Sequence, residues 1–496
     1  MPDFKLPERA IDREASHKEN ADSDELKEVD HILEVDPKLE DRILRKCDYH
    51  ILPWLFGIWL CAFIDRSNIG NARIDGLTED LNLRGNMFNI SLVVFYVPYI
   101  LIDVPSNWVI KHFHAGYYLP FLIICWGLVS TFMGFTKSFA GLVVARCFLG
   151  LFEGGLLPGI IVYLAMFYPR HKMAWRIGLF YCAAPLSGAF GGLLASGLSQ
   201  IKSGGYDRWP WIFFIEGAIT TVYGIVCLFF MPHNPGHAKF LTSEEKKITM
   251  AHLKQDFHGA TAEEDIEREK FDWHWVRMAF ASPNLWMTSL AWFFVLIPLY
   301  SFSLFLPTII KSLGFTATNT QLLSVPPNFC SFLCVLLSTF YSDKLKMRGP
   351  VMILGSSVAM IGYIMLLASH SAGVRYGGTF FVACGVFICS PAVMAWLSNN
   401  LSPHYVRATG SGFQVAFANC AAFVATFTYL SKDAPDYVLG HSINLGALVL
   451  AIVTVSLGIM YNKWENGKRD RGERDHRLSE DQSRLGHRHP HYRYTI

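Results

Sequence analysis

Two long apolar blocks, residues 51–231 and 284–461, set the terms for what this chain can fold into. Three polar segments, 1–50, 232–283 and 462–496, hold 55 of the 84 charged residues. The remaining 359 residues share 29 charges, too few to solvate a water-soluble domain of that size. A helix that crosses a bilayer needs about 20 apolar residues. Each block therefore has room for six crossings with short loops. The pattern predicts spans over 51–71, 88–110, 117–135, 139–162, 176–200, 209–231, 284–310, 321–341, 350–370, 376–399, 407–430 and 439–461. Two sets of six, matched in length, are the layout of paired helix bundles. The expected fold is an all-α membrane protein of 12 transmembrane helices in two six-helix bundles, 51–231 and 284–461. Segment 232–283 is then a central loop, and 1–50 and 462–496 are tails.

Mean hydropathy is +0.27, high for a soluble protein. The net charge is only +2, with basic residues in short flanks rather than in a domain, which argues against a nucleic-acid partner. No nucleophile–base constellation and no metal-ligand cluster is visible, so neither an enzyme, a cofactor nor a metal is expected. No Gly-rich phosphate loop with Lys and Ser/Thr occurs, which argues against direct ATP drive. The first 50 residues are acidic and polar, so the first span reads as retained rather than as a cleaved signal. Ten of the 11 cysteines fall in apolar spans and read as small core hydrophobes rather than a disulfide framework.

The short loops carry equal numbers of basic residues on the two sides. The flanks break the tie: Lys38, Arg42, Arg45 and Lys46 precede the first span, and Lys463, Lys468, Arg469, Arg471, Arg474 and Arg477 follow the last. Both termini are expected in the cytoplasm of a multi-pass plasma-membrane protein. The central loop offers two helices, around Thr242–Phe257 and Ala262–Phe280, with Ser243-Glu244-Glu245-Lys246 as a helix start. The Arg/His-rich tail 462–496 reads as solvated and disordered.

Six charges fall inside spans: Asp65, Arg66, Asp103, Arg146, Glu153 and Glu216. A lone charge at the centre of a membrane helix costs about 2.5–3.5 kcal/mol on insertion scales. These residues must pair, line a wet cavity, or both. Counting rise per residue brings Arg66, Arg146 and Glu216 to a similar depth. Glu153 lies two turns from Arg146 on nearly the same face. A guanidinium binds a carboxylate with two parallel hydrogen bonds and stays charged, which suits Arg66 and Arg146 to an anionic substrate. A buried carboxylate suits proton coupling, which nominates Glu153 and Asp65. A purely structural Arg146–Glu153 pair is the competing reading. Asn68, Tyr300, Trp396 and Gln414 are further candidates for the substrate site, and Asn328, Gln414 and Asn419 also read as interhelical glue. Asp103, Asn107, Glu216, Asp343 and Arg348 read as gate or structural residues. Gly188, Gly191, Gly192 and Gly197 form a stripe that would let helices approach closely.

The chain resembles the major facilitator superfamily, and within it the fungal allantoate permease group of the anion:cation symporter family. The residues that carry the resemblance begin with Leu44-Arg45-Lys46-Cys47-Asp48 and Asp65-Arg66-Ser67-Asn68-Ile69-Gly70-Asn71-Ala72. They continue with Asp103-Val104-Pro105-Ser106-Asn107 and with Arg146-Cys147-Phe148-Leu149-Gly150-Leu151-Phe152-Glu153-Gly154-Gly155. Tyr168-Pro169-Arg170, Trp211-Ile212-Phe213-Phe214-Ile215-Glu216-Gly217 and Trp396-Leu397-Ser398-Asn399-Asn400 complete them. The stretch from Asp65 to Leu77 is similar to high-affinity nicotinic acid transporters. The resemblance implies alternating-access symport of a small organic anion with protons, with Arg66, Arg146 and Glu153 at the positions that serve substrate and coupling. Residues 284–310 contain no basic residue, where the vesicular glutamate branch has an Arg, and this leans toward a monocarboxylate. The expected partners are a small organic anion, protons and the lipid bilayer, with the chain acting as a monomer. The alternatives left open are a facilitator that exports a secondary metabolite and a nutrient receptor with little flux.

Overall fold

The computed structural model describes residues 37–113, 115–168, 173–198, 200–203, 206–257, 273–345, 347–402, 404–479 and 484–496. Among them the chain is almost wholly helical, apart from a two-residue pair of antiparallel strands, Lys202–Ser203 with Tyr206–Asp207. Ten helices in the described residues are long and apolar enough to cross a membrane. This is a multi-pass membrane protein.

Helix α1 (Pro37–Ala72) holds the first expected span but begins well before it. The polar residues before Ile51 therefore belong in part to a helix rather than to a tail. Helices α2 (Met87–Phe113) and α3 (Ala115–Met133) follow. The fourth span is broken into α4 (Phe139–Glu153) and α5 (Leu156–Ala165), at Gly154-Gly155. The fifth comprises α6 (Met173–Tyr181) and α7 (Ala183–Leu198), and the sixth is α8 (Trp209–Phe230). In the connecting segment α9 spans Ser243–Phe257 and α10 spans Trp273–Phe280. The rest of the second expected loop helix, 262–272, lies outside the described residues. The N-terminal cap of α9 is Thr242. Its hydroxyl accepts from Glu245 N at 3.3 Å, and its own N donates to Glu245 Oε2 at 2.9 Å.

The later helices are α11 (Pro283–Ser312), α12 (Ala317–Leu323), α13 (Val325–Leu345), α14 (Gly349–Ala368) and α15 (Ala372–Asn400). The eleventh span is split at Cys420 into α16 (His404–Asn419) and α17 (Ala421–Ala425), and the last helix is α18 (Val438–Asp470). Because the spans alternate in direction, α1 begins and α18 ends at one face, here called the terminal end. The other face is the far end.

Helix α18 runs past Tyr461, and residues 484–496 fold back onto the terminal end. The expectation of a solvated tail fails for this stretch. The reason is polar rather than apolar: Asn, Arg and Trp side chains capture its main chain, a contact that leaves no trace in hydropathy.

Candidate functional site

The site starts from a close approach between α2 and α4. Glycines at 150 and 154 let the main chains nearly touch: a Cβ on Gly150 would collide with the Phe95 carbonyl, and one on Gly154 with the Tyr99 carbonyl. This seating brings Glu153, at the end of α4, to Arg66 on α1. Arg66 Nε donates to Glu153 Oε1 at 2.5 Å, and both residues are buried. The guanidinium carbon lies 4.7 Å from the Tyr99 ring centre, 5.1 Å from Phe63 and 5.7 Å from Phe95. An aromatic cage of this kind attracts a cation through the ring faces while shedding water.

Arg66 and Tyr300 lie between two adjoining cavities and line both. One extends toward the far end past Ser67, Asn71, Tyr96, Ser187 and Asn328. The other extends toward the terminal end past Trp59, Tyr181, Trp292, Ser390 and Asn419. Arg66 is the one charged residue among the described residues that line these two cavities. Facing it from α11, Tyr300 donates its hydroxyl proton to Asn419 Oδ1 at 2.5 Å and packs against Tyr96, ring centres 5.3 Å apart.

Arg146 is buried beside this pair rather than in it. Its Nε and one Nη have no hydrogen-bond partner among the described residues. Glu153 therefore pairs with Arg66, not with Arg146. Behind α1, Ser130 Oγ donates to Asp65 Oδ1 at 2.9 Å, while Asp65 Oδ2 is unpartnered among the described residues. Both carboxylate oxygens of buried Glu216 and both amide atoms of buried Asn68 are likewise unpartnered there.

The other expected residues take separate places. Asn68, Gln414 and Trp396 are not among the residues lining the two cavities. Trp396 instead donates its Nε1 proton to the Thr495 carbonyl at 3.0 Å. Arg348 donates from Nη1 to Ser342 Oγ at 2.6 Å, at the start of α14. Asp103 is buried on α2. The side chains of Asn107 and Asp343 lie outside the described residues. The glycine stripe divides: Gly188 faces Asn328, Gly192 faces Ser324, and Gly191 faces Ser67, whereas Gly197 faces open space. Tyr99 was legible as the i+3 neighbour of Tyr96 on one helix face, but nothing in the sequence pointed it at Arg66.

At the far end the two sets of helices are laced together. Asn89 Nδ2 donates to the Thr426 carbonyl at 2.5 Å, Gln321 Nε2 to Asp75 Oδ2 at 2.6 Å, Lys311 Nζ to the Ile74 carbonyl at 3.0 Å, and Arg73 Nη2 to Ser431 Oγ at 2.9 Å. The chain turns there through Gly76, whose φ of 108° is in the region that favours glycine. At the terminal end Arg176 binds both oxygens of Asp48, at 2.6 and 2.9 Å, and lies 4.2 Å over the Tyr168 ring. Lys46 Nζ donates to Glu245 at 2.6 Å and ties α9 to α1. Burial works against the Glu245 carboxylate, but Lys46 and the Thr242 donors win and hold it below the usual carboxylate range.

The Major Facilitator Superfamily profile matches residues 55–426. An uncharacterized transporter of Schizosaccharomyces pombe is 36% identical over 466 residues, 94% of this chain and 92% of its own length. A high-affinity nicotinic acid transporter of Saccharomyces cerevisiae is 32% identical over 431 residues, 87% of this chain and 79% of its own. Among solved structures, a bacterial homologue of the human lysosomal transporter Spinster, in an inward-facing and unoccupied conformation, overlaps with a TM-score of 0.62 at 16% identity, covering 83% of this chain and 96% of that one. A D-xylose–proton symporter overlaps with a TM-score of 0.60, also at 16% identity, covering 81% and 97%.

Proposed function

The chain belongs to the Major Facilitator Superfamily, and on that premise we propose that it is a proton symporter for a small, flat organic monoanion such as nicotinate. It is a membrane transporter and not an enzyme. The observation that carries the proposal is the single guanidinium, Arg66, between two cavities otherwise lined, among the described residues, by neutral and aromatic side chains. One fixed cation matches one carboxylate. The rings of Tyr96, Tyr99 and Tyr300 match an aromatic or planar body. The similarity to a nicotinic acid transporter supports the same substrate class. We place the chain within the allantoate permease group, in the plasma membrane, as a monomer with both termini cytoplasmic. The domains proposed are 51–231 and 284–461, joined by 232–283.

The Arg66–Glu153 pair supplies a coupling device. A substrate carboxylate competes with Glu153 for the same guanidinium. Once displaced, Glu153 is a buried carboxylate that has lost the cation it was hydrogen-bonded to, and such a group takes up a proton more readily. Anion and proton then travel together and the loaded cavity gains no net charge. This matters energetically, because a lone anion entering against 100 mV, negative inside, is opposed by about 2.3 kcal/mol.

The test is uptake of radiolabelled nicotinate and other monocarboxylates into yeast that lacks its own carrier, at external pH 5 and 7. Vector-only cells correct for passive entry of the neutral acid. Saturable uptake that is larger at pH 5 and collapses with a protonophore is expected. Saturable uptake indifferent to both would reject symport, and substrate loss from preloaded cells without uptake would favour an exporter.

A further inference from the structure

Residues 484–496 do more than lie on the terminal end. The Thr495 carbonyl accepts three hydrogen bonds from three different side chains: Trp396 Nε1 at 3.0 Å, Asn400 Nδ2 at 3.1 Å and Asn462 Nδ2 at 3.0 Å. Thr495 N donates back to Asn400 Oδ1 at 2.7 Å. One residue earlier, Tyr494 N donates to Asn466 Oδ1 at 2.9 Å and its carbonyl accepts from Asn466 Nδ2 at 2.8 Å. Arg469 reaches the carbonyls of Tyr492 and His487, at 2.5 and 3.2 Å. The Tyr492 hydroxyl donates to the Asn399 carbonyl at 2.6 Å. The segment is held by its main chain, as a strand is held at a sheet edge, but by amide side chains from two helices.

Those helices are α15 and α18. The Arg348 N–H, at the start of α14, adds a bond to the Ile496 carbonyl at 2.8 Å. Trp396 fills the space between them; a Cβ on Gly458 of α18 would stand 3.0 Å from its ring. The segment therefore clamps three helices at the terminal end. Helix α15 also contains Pro391, which removes a backbone hydrogen bond and weakens the helix locally. On one side of that weak point lie Phe387 and Ser390, which line the cavity. On the other side, Trp396, Asn399 and Asn400 are gripped by the segment. The grip lies about 9 Å along the helix from the cavity wall.

We propose that residues 484–496 are a strap that, while docked, holds the part of α15 beyond Pro391 against α14 and α18 and so restrains opening of the cavity toward the terminal end. Undocking frees that half-helix to swing.

The experiment uses the full chain in lipid nanodiscs with Ser390→Cys as a reporter. The rate of reaction with a charged methanethiosulfonate is taken as the increment over the same chain carrying Ser390, which subtracts the native thiols. Deletion of 484–496 is expected to raise that rate by about fivefold or more, the size of one net hydrogen bond of restraint. Asn466→Ala, which removes only the grip on Tyr494, is expected to raise it about threefold. Unchanged rates in both variants would overturn the strap. If the deleted chain does not accumulate, Asn466→Ala decides alone: faster labelling supports the strap and an unchanged rate overturns it.

Discussion

The two halves of this molecule meet the cavity with different chemistry. The first half brings buried charge: Arg66 and Glu153 paired at 2.5 Å, with Arg146, Asp65 and Glu216 buried around them. The second half answers with neutral groups: Tyr300 bonded to Asn419, together with Asn328 and Ser390. Burying ions costs several kcal/mol each unless geometry repays it, so stability alone does not favour the first arrangement over an apolar one. Neutral hydrogen bonds carry no such cost and stiffen a wall. On the proposed function, anion capture and proton coupling fall to the first half and the shape of the substrate to the second.

The assignment breaks most readily at Arg66. Arg66→Ala leaves Glu153 buried without its cation and removes the anion's anchor. Saturable uptake should fall by at least about a hundredfold, in line with the 3–5 kcal/mol lost when one partner of a buried pair is removed. Arg66→Lys keeps the charge but not the fork, and KM should rise about tenfold. Normal transport by a well-expressed Arg66→Ala chain would show that the first half does not hold the anion.

A smaller effect is expected opposite. Tyr300→Phe leaves Asn419 Oδ1 without its donor, a loss of about 1–3 kcal/mol that includes an unsatisfied buried acceptor. KM should rise about tenfold and preference among ring-bearing monocarboxylates should shift, while the ratio of uptake at pH 5 to pH 7 stays at the parent value. A changed pH ratio would mean that the second half takes part in coupling.

The last effect, read on docking rather than on transport, concerns the strap. Burial pushes the His487 imidazole down to about 4, with Arg469, Arg488 and Arg477 adding in the same direction against the Ser402 carbonyl. The undocked imidazole has an ordinary value near 6.5. Above pH 6.5 both forms are neutral and docking is indifferent to pH. As pH falls from 6.5 toward 4, only the undocked form gains a proton, so docking weakens by up to about tenfold per unit. Deuterium exchange of 484–496, corrected for intrinsic rates, should show protection falling between pH 7 and 5 in the parent chain. The fall should vanish in His487→Gln.

How much of this the sequence carried depended on what leaves a pattern. Apolar runs of about 20 residues are obligatory for crossing a bilayer, so the order of the spans was legible. A charge inside such a run is costly, so Arg66, Arg146 and Glu153 stood out from sequence alone. Their pairing did not. Rise per residue gives depth along one helix, but not which neighbouring helix packs against which face. That choice rested on glycines 150 and 154, which draw α4 onto α2 and deliver Glu153 to Arg66. Trp396 illustrates the opposite case. An aromatic in a span reads as a possible cavity wall, yet its indole serves Thr495, because side chain to main chain contacts over such a separation have no periodicity to read.

The most direct test of coupling is Glu153→Gln in proteoliposomes, with net accumulation and substrate exchange measured in the same preparation. If Glu153 releases Arg66 to the anion and carries the proton, the variant should lose accumulation driven by an imposed pH gradient. It should still exchange labelled for unlabelled substrate. Accumulation equal to that of the parent, with the same dependence on the gradient, would contradict the account.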